Sequence, residues 1–236
     1  MADRYRRKVV DVWNEMAELT LFVHAFNGGV RINVEAGTTV PRLYACGEVT
    51  GGMHSADRLG GNAFTSTQVF GHRAGVSASE CAAGDPAPAP DPAQVRDELR
   101  AIKRRLAIGS GPGPREVRRK IQDAMWWKAM ICQTEAGLTQ CLDTLGEIYE
   151  QDLPAVSPTG RGDIFRAVEL LNLWQTAQLI AQVSRERRES RGPHHRKDYP
   201  EPDSRCAGSY LIELKDQPAP GERLQYTTRL VNLTEV

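Results

Sequence analysis

The chain has 236 residues with 30 basic and 30 acidic side chains, so its net charge is zero and it lacks the positive field of a protein that holds nucleic acid through phosphates. Hydrophobic residues make up 40% and charged residues 25%, the balance of a globular protein, and no apolar run approaches the length of a membrane span. The five cysteines (Cys46, Cys81, Cys132, Cys141 and Cys206) are odd in number and form no metal-type pair, which points to free or buried thiols in a reducing compartment.

Residues 1–18 begin with a basic stretch and place Val9, Val10, Val12, Trp13 and Met16 among charges. No apolar signal core follows, so the expectation is a short helical extension at a mature cytoplasmic start. Residues 19–26 are densely apolar and end in Asn27-Gly28-Gly29, a strand and a turn. Residues 30–34 alternate as a second strand, and residues 40–45 read as a third after a turn at 35–39. Residues 64–78 are amphipathic, with Asn62 as the expected helix cap.

Residues 81–92 hold four alanines and four prolines, a stiffened linker and the clearest boundary in the chain. Beyond it, helices are predicted over 93–106, 114–132, 135–151 and 163–189. Ile121, Met125, Met130 and Ile131, then Leu138, Leu142, Leu145 and Ile148, recur at bundle spacing, with Trp126 and Trp127 as expected core anchors. Cys132 and Cys141 fall in this helical sequence as small packing residues, and packing is also expected for Cys46. The charges at 185–189 read as the exposed end of the last helix. Two strand-like runs, 209–214 and 225–233, close a polar tail. The units expected are therefore 1–18 (helical extension), 19–80 (part of an α/β domain), 81–92 (linker), 93–189 (helical bundle) and 190–236 (extended tail with strands). The fold class is α/β plus α: a partial α/β segment, a helical bundle and a short β tail.

Residues 47–63 carry the most chemistry. They lie between an apolar run (Leu43-Tyr44-Ala45-Cys46) and the predicted helix, and contain Gly47, Gly51, Gly52, Gly60 and Gly61 with the acid Glu48 and the base Arg58. Such a loop lets backbone N–H groups and a helix N-terminus approach a negatively charged group closely. Taken singly, Glu48 also suits a capping acid, Arg58 a surface charge, His24 a structural histidine and the glycines plain turns. His54 and His72 read as structural or surface residues, and His194-His195 has no partner at metal spacing, so no metal site is expected.

Three blocks resemble one family. His24-Ala25-Phe26-Asn27-Gly28-Gly29-Val30 is similar to the His-Tyr-x-x-Gly-Gly-Ile of the fumarate reductase, succinate dehydrogenase and L-aspartate oxidase flavoproteins. Residues 47–71 resemble that family's Gly-Glu … Gly-x-His-Gly-Ala-Asn-Arg-Leu-Gly-Gly-Asn-Ser … Phe-Gly. Residues 189–201 (Glu-Ser-Arg-Gly-Pro-His-His-Arg-Lys-Asp-Tyr-Pro-Glu) resemble its C-terminal Glu-Ser-Arg-Gly-Ala-His-x-Arg-x-Asp-Tyr-Pro, a segment expected to tie the helical unit to the flavin unit.

The resemblance implies an FAD-dependent oxidoreductase that exchanges hydride between flavin N5 and a carbon–carbon bond next to a carboxylate. It implies that Glu48 hydrogen-bonds the flavin ribityl chain. Asn62, Ala63 and Phe64 would approach the flavin, where the helix N-terminus favours the negative charge of the reduced ring. It implies that His24, Arg58 and Gly61 hold the substrate, the planar guanidinium matching a carboxylate in two-point geometry. Three positions depart from the family: Ala25 stands for its tyrosine, Asp57 for its asparagine and Ala63 for its serine. Asp57 puts a negative charge beside the substrate-binding arginine.

The 236 residues contain no Gly-x-Gly-x-x-Gly fingerprint with its distant acid, and nothing like the family's Arg-Gly-Glu-Gly capping segment, whose neighbourhood supplies the proton-donating arginine. No catalytic residue is therefore assigned to the chain itself. The expectation is the C-terminal subunit of a split flavoenzyme, sharing FAD with a chain that supplies the N-terminal FAD-binding and capping domains. An iron–sulfur electron-transfer subunit is a further expected partner, and through such partners the chain would sit peripherally on a membrane. The other readings are a non-catalytic assembly module and a remnant of such a flavoprotein.

Overall fold

The computed structural model describes residues 24–84, 87–105, 110–215 and 223–232. The predicted extension at 1–18, the first part of the strand at 19–26 and the link between the two strand-like runs of the tail fall outside these residues.

In the first region regular structure is sparse. β1 (Val30–Arg31) pairs in parallel with β2 (Thr50–Gly51), Val30 opposite Thr50 and Arg31 opposite Gly51. Residue 29 must be glycine here: its φ is +147°, and a Cβ would lie 2.1 Å from Val49 O. The strand expected over 40–45 does not form. The Leu43 N–H closes a turn onto Val40 O at 3.1 Å and Arg42 takes a positive φ of 67°, so the segment folds back on itself. A strand needs a neighbour to pair with, and among the described residues this segment meets only the single bridge between Gly37 and Tyr44. Residues 30–34 are likewise cut short, because Asn33 Oδ1 accepts the Glu35 and Gly37 N–H groups and turns the chain. Cys46 is exposed rather than packed.

α1 (Asn62–Gly84) starts where the motif places it but runs on into the stretch predicted to be linker. Alanine-rich sequence at 78–83 favours the helix over a coil. α2 (Pro92–Arg105) begins on the last of the alternating prolines, a residue that suits the first helical position.

The helical unit matches its prediction more closely. α3 (Pro114–Lys128) also has proline at its first turn, where no intrahelical N–H partner is needed. β3 (Cys132–Gln133) interrupts the helical sequence, so Cys132 is exposed on a strand rather than packed in a helix. α4 (Glu135–Glu147) is capped by Thr134, whose Oγ1 accepts the Gly137 N–H at 3.1 Å, and it continues as a π-helical turn over Ile148–Asp152. α5 (Arg161–Glu186) completes the bundle.

The core is formed by Val117, Ile121, Ala124 and Met125 of α3, Leu138, Cys141 and Leu145 of α4, and Ala167, Leu170, Trp174, Ala177 and Ala181 of α5. Trp174 is the aromatic anchor. It is fully buried, donates its indole N–H to Leu145 O at 2.6 Å and stacks on Tyr149 at 4.5 Å. The expected anchors are not in the core: Trp126 is 36% exposed and Trp127 77% exposed. The buried stripe of α3 runs through 117, 121, 124 and 125; at about 100° per residue Trp126 falls on the opposite face, and Trp127 lies beyond the edge of the stripe at the helix end. Ile131 is also exposed, at a positive φ of 61° where α3 has ended. Burial pushes the Cys141 thiol up to about 11, as for an inert packing residue.

β4 (His195–Arg196) pairs in parallel with β3. β5 (Gly208–Leu214) and β6 (Tyr226–Asn232) form an antiparallel pair with Tyr210 opposite Leu230. The end of α5 is not an exposed charged terminus. Glu189 is fully buried and accepts from both Arg187 and Arg191, and from the Asp203 N–H at 2.8 Å. Burial pushes its carboxyl up, but Arg191, the Asp203 N–H and Arg187 together outweigh this and hold it below the usual range. Arg196 is also fully buried, and its Nη1 donates to the carbonyls of Ser184 and Arg185 at 3.0 Å and Arg187 at 3.2 Å. It thus satisfies the orphan carbonyls of a helix C-terminus with a matching positive charge.

Candidate functional site

The sequence places one acid after a strand and one base before a helix. In the folded chain these meet at a cleft of about 270 Å³ between residues 25–28, the loop 47–58 and the start of α1. Glu48 lies on a single 3₁₀ turn, Gly47–Val49, and its Oε1 accepts the Phe26 N–H at 2.9 Å. That bond draws the first motif block against the second. Among the described residues no group donates to the other carboxylate oxygen, which can accept from hydroxyl or N–H donors. Thr50 Oγ1 donates to Gly47 O at 2.6 Å and closes the turn.

Arg58 closes the loop, its side chain 20% exposed. Asp57 Oδ1 accepts the Arg58 backbone N–H at 2.8 Å and lies 3.9 Å from the guanidinium. The carboxylate is thus engaged mainly by the backbone. It does not meet the guanidinium fork in a close two-point pair, and the fork retains donors for a ligand. Ala56, one residue earlier than Asp57, is held from two sides. Its carbonyl accepts from Asn27 Nδ2 at 3.1 Å, and Gly192 packs against it so tightly that a Cβ there would lie 2.9 Å from Ala56 O. Gly192 has φ +57° as well, a conformation that glycine adopts without strain. The third motif block therefore reaches from the helical unit to the loop that carries Arg58, the tie expected of it.

Of the predicted site residues, Glu48, Arg58, Ala63 and Phe64 line the cleft together. Gly61 and Asn62 stand at the head of α1 outside the lining, and His24 is exposed and does not line it. His54, Ser66 and Thr67 do line it. Sequence reasoning does not select them, although the helix predicted from Asn62 puts Ser66 and Thr67 on its first turns, beside the loop.

Comparison with known proteins decides the family. The pattern described as fumarate reductase flavoprotein C-term matches residues 118–235, half of the chain, and that of an FAD binding domain matches residues 2–64. The chain belongs to the fumarate reductase, succinate dehydrogenase and L-aspartate oxidase flavoproteins. The FAD-binding match begins at residue 2 and so takes in the segment read as an extension. Relatives of this flavoprotein include a subunit of the CoM/CoB fumarate reductase of Methanothermobacter marburgensis, 35% identical over 89% of this chain and 38% of its own length. The fumarate reductase flavoprotein subunit of Mycobacterium tuberculosis is 31% identical over 82% of this chain and 35% of its own length. Among solved structures, the Mycobacterium smegmatis Sdh1 complex in the apo form superposes with a TM-score of 0.77 at 27% identity, over 86% of this chain and 35% of that one. The chain thus spans less than two-fifths of the length of these relatives. No described helix is long and apolar enough to cross a membrane.

Proposed function

We propose that this flavoprotein chain forms the C-terminal side of the active site of an FAD-dependent oxidoreductase of the fumarate reductase and succinate dehydrogenase type, acting on a carboxylate-bearing substrate. The observation that carries the reading is the convergence of Glu48, Arg58, Ala63 and Phe64, from separate segments, on one cleft at the head of α1. The donor set suits FAD. Glu48 is an acceptor for ribityl hydroxyls, the exposed rings of Phe26 and Phe64 are apolar walls for a flat heterocycle, and the α1 N-terminus favours negative charge. Bound FAD supplies two-electron, hydride-exchanging chemistry. The chain's own residues anchor the cofactor through Glu48, orient a substrate carboxylate through Arg58 and hold the Arg58 loop through Asn27 and Gly192.

In this reading a partner chain supplies the pyrophosphate-binding and capping segments, including the proton donor, and FAD is shared between the two. Leu59 (79% exposed), next to Arg58, and Phe64 (73%), in the cleft lining, support it, since large apolar side chains left open beside the cleft call for a cover. An iron–sulfur subunit would carry electrons onward and would hold the assembly at a membrane periphery.

The deciding experiment is purification of the tagged chain from its native host, read by flavin absorbance and mass spectrometry. A yellow heteromer with a Gly-x-Gly-x-x-Gly chain is the expected result, and iron in it would identify the electron partner. A colourless chain would overturn the enzyme reading and favour an assembly module. In the yellow complex, Arg58→Ala should abolish dicarboxylate turnover while FAD stays bound. Unchanged turnover would remove Arg58 from its role.

A further inference from the structure

The buried carboxylate of Glu189 has no part in the reading above. Its side chain is 0% exposed, and a carboxylate taken out of water is costly unless donors meet it. Arg191 meets it as a fork, with Nε 3.0 Å from Oε1 and Nη2 2.8 Å from Oε2. Arg187 Nη1 and the Asp203 N–H add two further donors. Arg191 Nη2 also donates to Asp203 O at 3.1 Å, so the guanidinium is held in one place.

The same arginine opens a turn. Its N–H donates to His194 O at 2.9 Å, and the His194 N–H donates back to Arg191 O at 3.1 Å. Gly192 and Pro193 form the tip, with the proline φ fixed by its ring. At the far foot His194 Nε2 lies 3.2 Å from Arg187 O. Both feet therefore lead back to Arg187, one through the Glu189 carboxylate and one through the Arg187 carbonyl. A four-residue turn tied at both ends moves as a body.

Its tip meets the loop two residues before Arg58. A Cβ on residue 192 would lie 2.9 Å from Ala56 O and 3.3 Å from the Ala56 methyl, so the loop can come no closer. On its other side Ala56 O accepts from Asn27 Nδ2 at 3.1 Å. Asp57 Oδ1 then takes the Arg58 N–H, so the Arg58 backbone inherits its place from this clamp. A misplacement of about 1 Å, even from a distant change, is enough to spoil a two-point grip.

We propose that Glu189 and Arg191 are positioning residues for Arg58: the buried carboxylate fixes Arg191, Arg191 fixes the turn, and Gly192 at its tip sets where the Arg58 loop stops. This rests on Arg58 gripping a substrate carboxylate, as in the proposed function. A buried ion pair stabilises a fold little compared with apolar residues of the same volume, and what this one contributes is geometry.

The test uses the assembled, flavin-loaded complex and compares the wild type with Arg191→Lys, Glu189→Gln and Arg58→Ala. Lysine keeps the charge at a side chain that is 31% exposed but has no fork, so it perturbs geometry with little risk to folding. Steady-state kinetics with succinate and fumarate are read beside amide hydrogen exchange. For Arg191→Lys, KM should rise about 10-fold with kcat within about twofold, the pattern of a weakened grip on the ground state and transition state alike. Protection should fall in residues 52–58 while the core amides of α3 and α4 keep theirs. Glu189→Gln should shift KM the same way and further, because it leaves both arginines without their counter-charge. A merely structural clasp would lower yield, FAD content or melting temperature and leave the KM of the flavin-loaded fraction unchanged. A KM for Arg191→Lys within about twofold of the wild type therefore overturns the proposal. If the wild type turns over neither substrate, or Arg58→Ala matches it in KM and kcat, the carboxylate reading of the cleft fails first and the role of Glu189 and Arg191 with it.

Discussion

Two regions of the molecule solve the problem of folding differently. Residues 114–186 close a core on themselves, with three helices contributing side chains at three- and four-residue spacing around Trp174. Residues 24–84 do not. The 23-residue helix α1 buries none of its side chains, and β1 and β2 are two residues each. The contrast teaches which region stabilises itself and which depends on its surroundings. The helical unit carries its own hydrophobic driving force, while the cleft region presents its apolar side chains outward and holds its loops by hydrogen bonds and by close glycine contacts such as those of Gly29 and Gly192.

The largest effect expected on this comparison comes from Trp174→Ala. The change empties the centre of the core and leaves Leu145 O without its indole donor, so it should cost about 3–5 kcal/mol in urea denaturation followed by far-ultraviolet circular dichroism. A cost under about 1 kcal/mol would mean that the helical unit does not depend on this core.

Gly192→Ala tests the joint between the regions. The added methyl meets Ala56 O and forces a non-glycine residue into φ +57°, so a loss of about 1–3 kcal/mol is expected. The informative readout is amide hydrogen exchange. Protection should fall in residues 52–58 while the core amides of α3 and α4 keep theirs. Equal loss everywhere would show that the two regions unfold as one unit and erase the distinction.

What can be read from the sequence follows the same division. The helices of the bundle are legible because each carries its own apolar stripe and its own punctuation, as at Pro114 and Thr134. The strands at 30–34 and 40–45 are not, because strands are completed by neighbours, and alternation in one segment cannot report whether a neighbour is present. Size misleads at Trp126 and Trp127; the phase of Val117, Ile121, Ala124 and Met125 is the signal that places Trp126 opposite the buried stripe and Trp127 off its edge. The charges at 185–189 mislead because burial of Glu189 depends on Arg191 and Asp203 as much as on Arg187, which no local pattern shows. In the site, the residue types at 48 and 58 are legible from chemistry, but the contact of His54 Nε2 with Ser66 Oγ at 3.1 Å joins residues twelve apart in the chain, which no local pattern shows.

A smaller effect is expected from acid. Asp198 takes both Arg196 Nε and Nη2 at 2.8 and 2.9 Å and accepts the Glu135 N–H at 2.7 Å, joining the start of α4 to the end of α5. The Arg196 guanidinium is the main cause that holds the Asp198 carboxyl well below the usual range, against a smaller push upward from burial. A carboxyl whose folded value is depressed stabilises the fold above the unfolded value of about 4, and that contribution is lost as pH falls through the folded value. Urea midpoints should therefore decline below about pH 4 in the wild type and decline less steeply in Asp198→Asn. Parallel acid limbs would show that the Arg196 clasp does not link the two helix ends energetically.

The smallest effect is the sharpest test of the core's outline. Trp127 is a tryptophan in a bundle helix, and area alone would make its removal costly. Yet it is 77% exposed, on the side of α3 away from Ile121 and Met125, so Trp127→Ala removes little that folding had buried. Alanine also has the better helix propensity, which offsets part of any lost contact. The expected change is within about 0.5 kcal/mol in the same urea assay that registers Trp174→Ala. Since the two substitutions delete the same side chain, the ratio of their effects isolates burial from residue type. A Trp127 cost near that of Trp174 would mean that this face of α3 is covered in solution, and the line between a closed helical unit and an open cleft region would have to be redrawn.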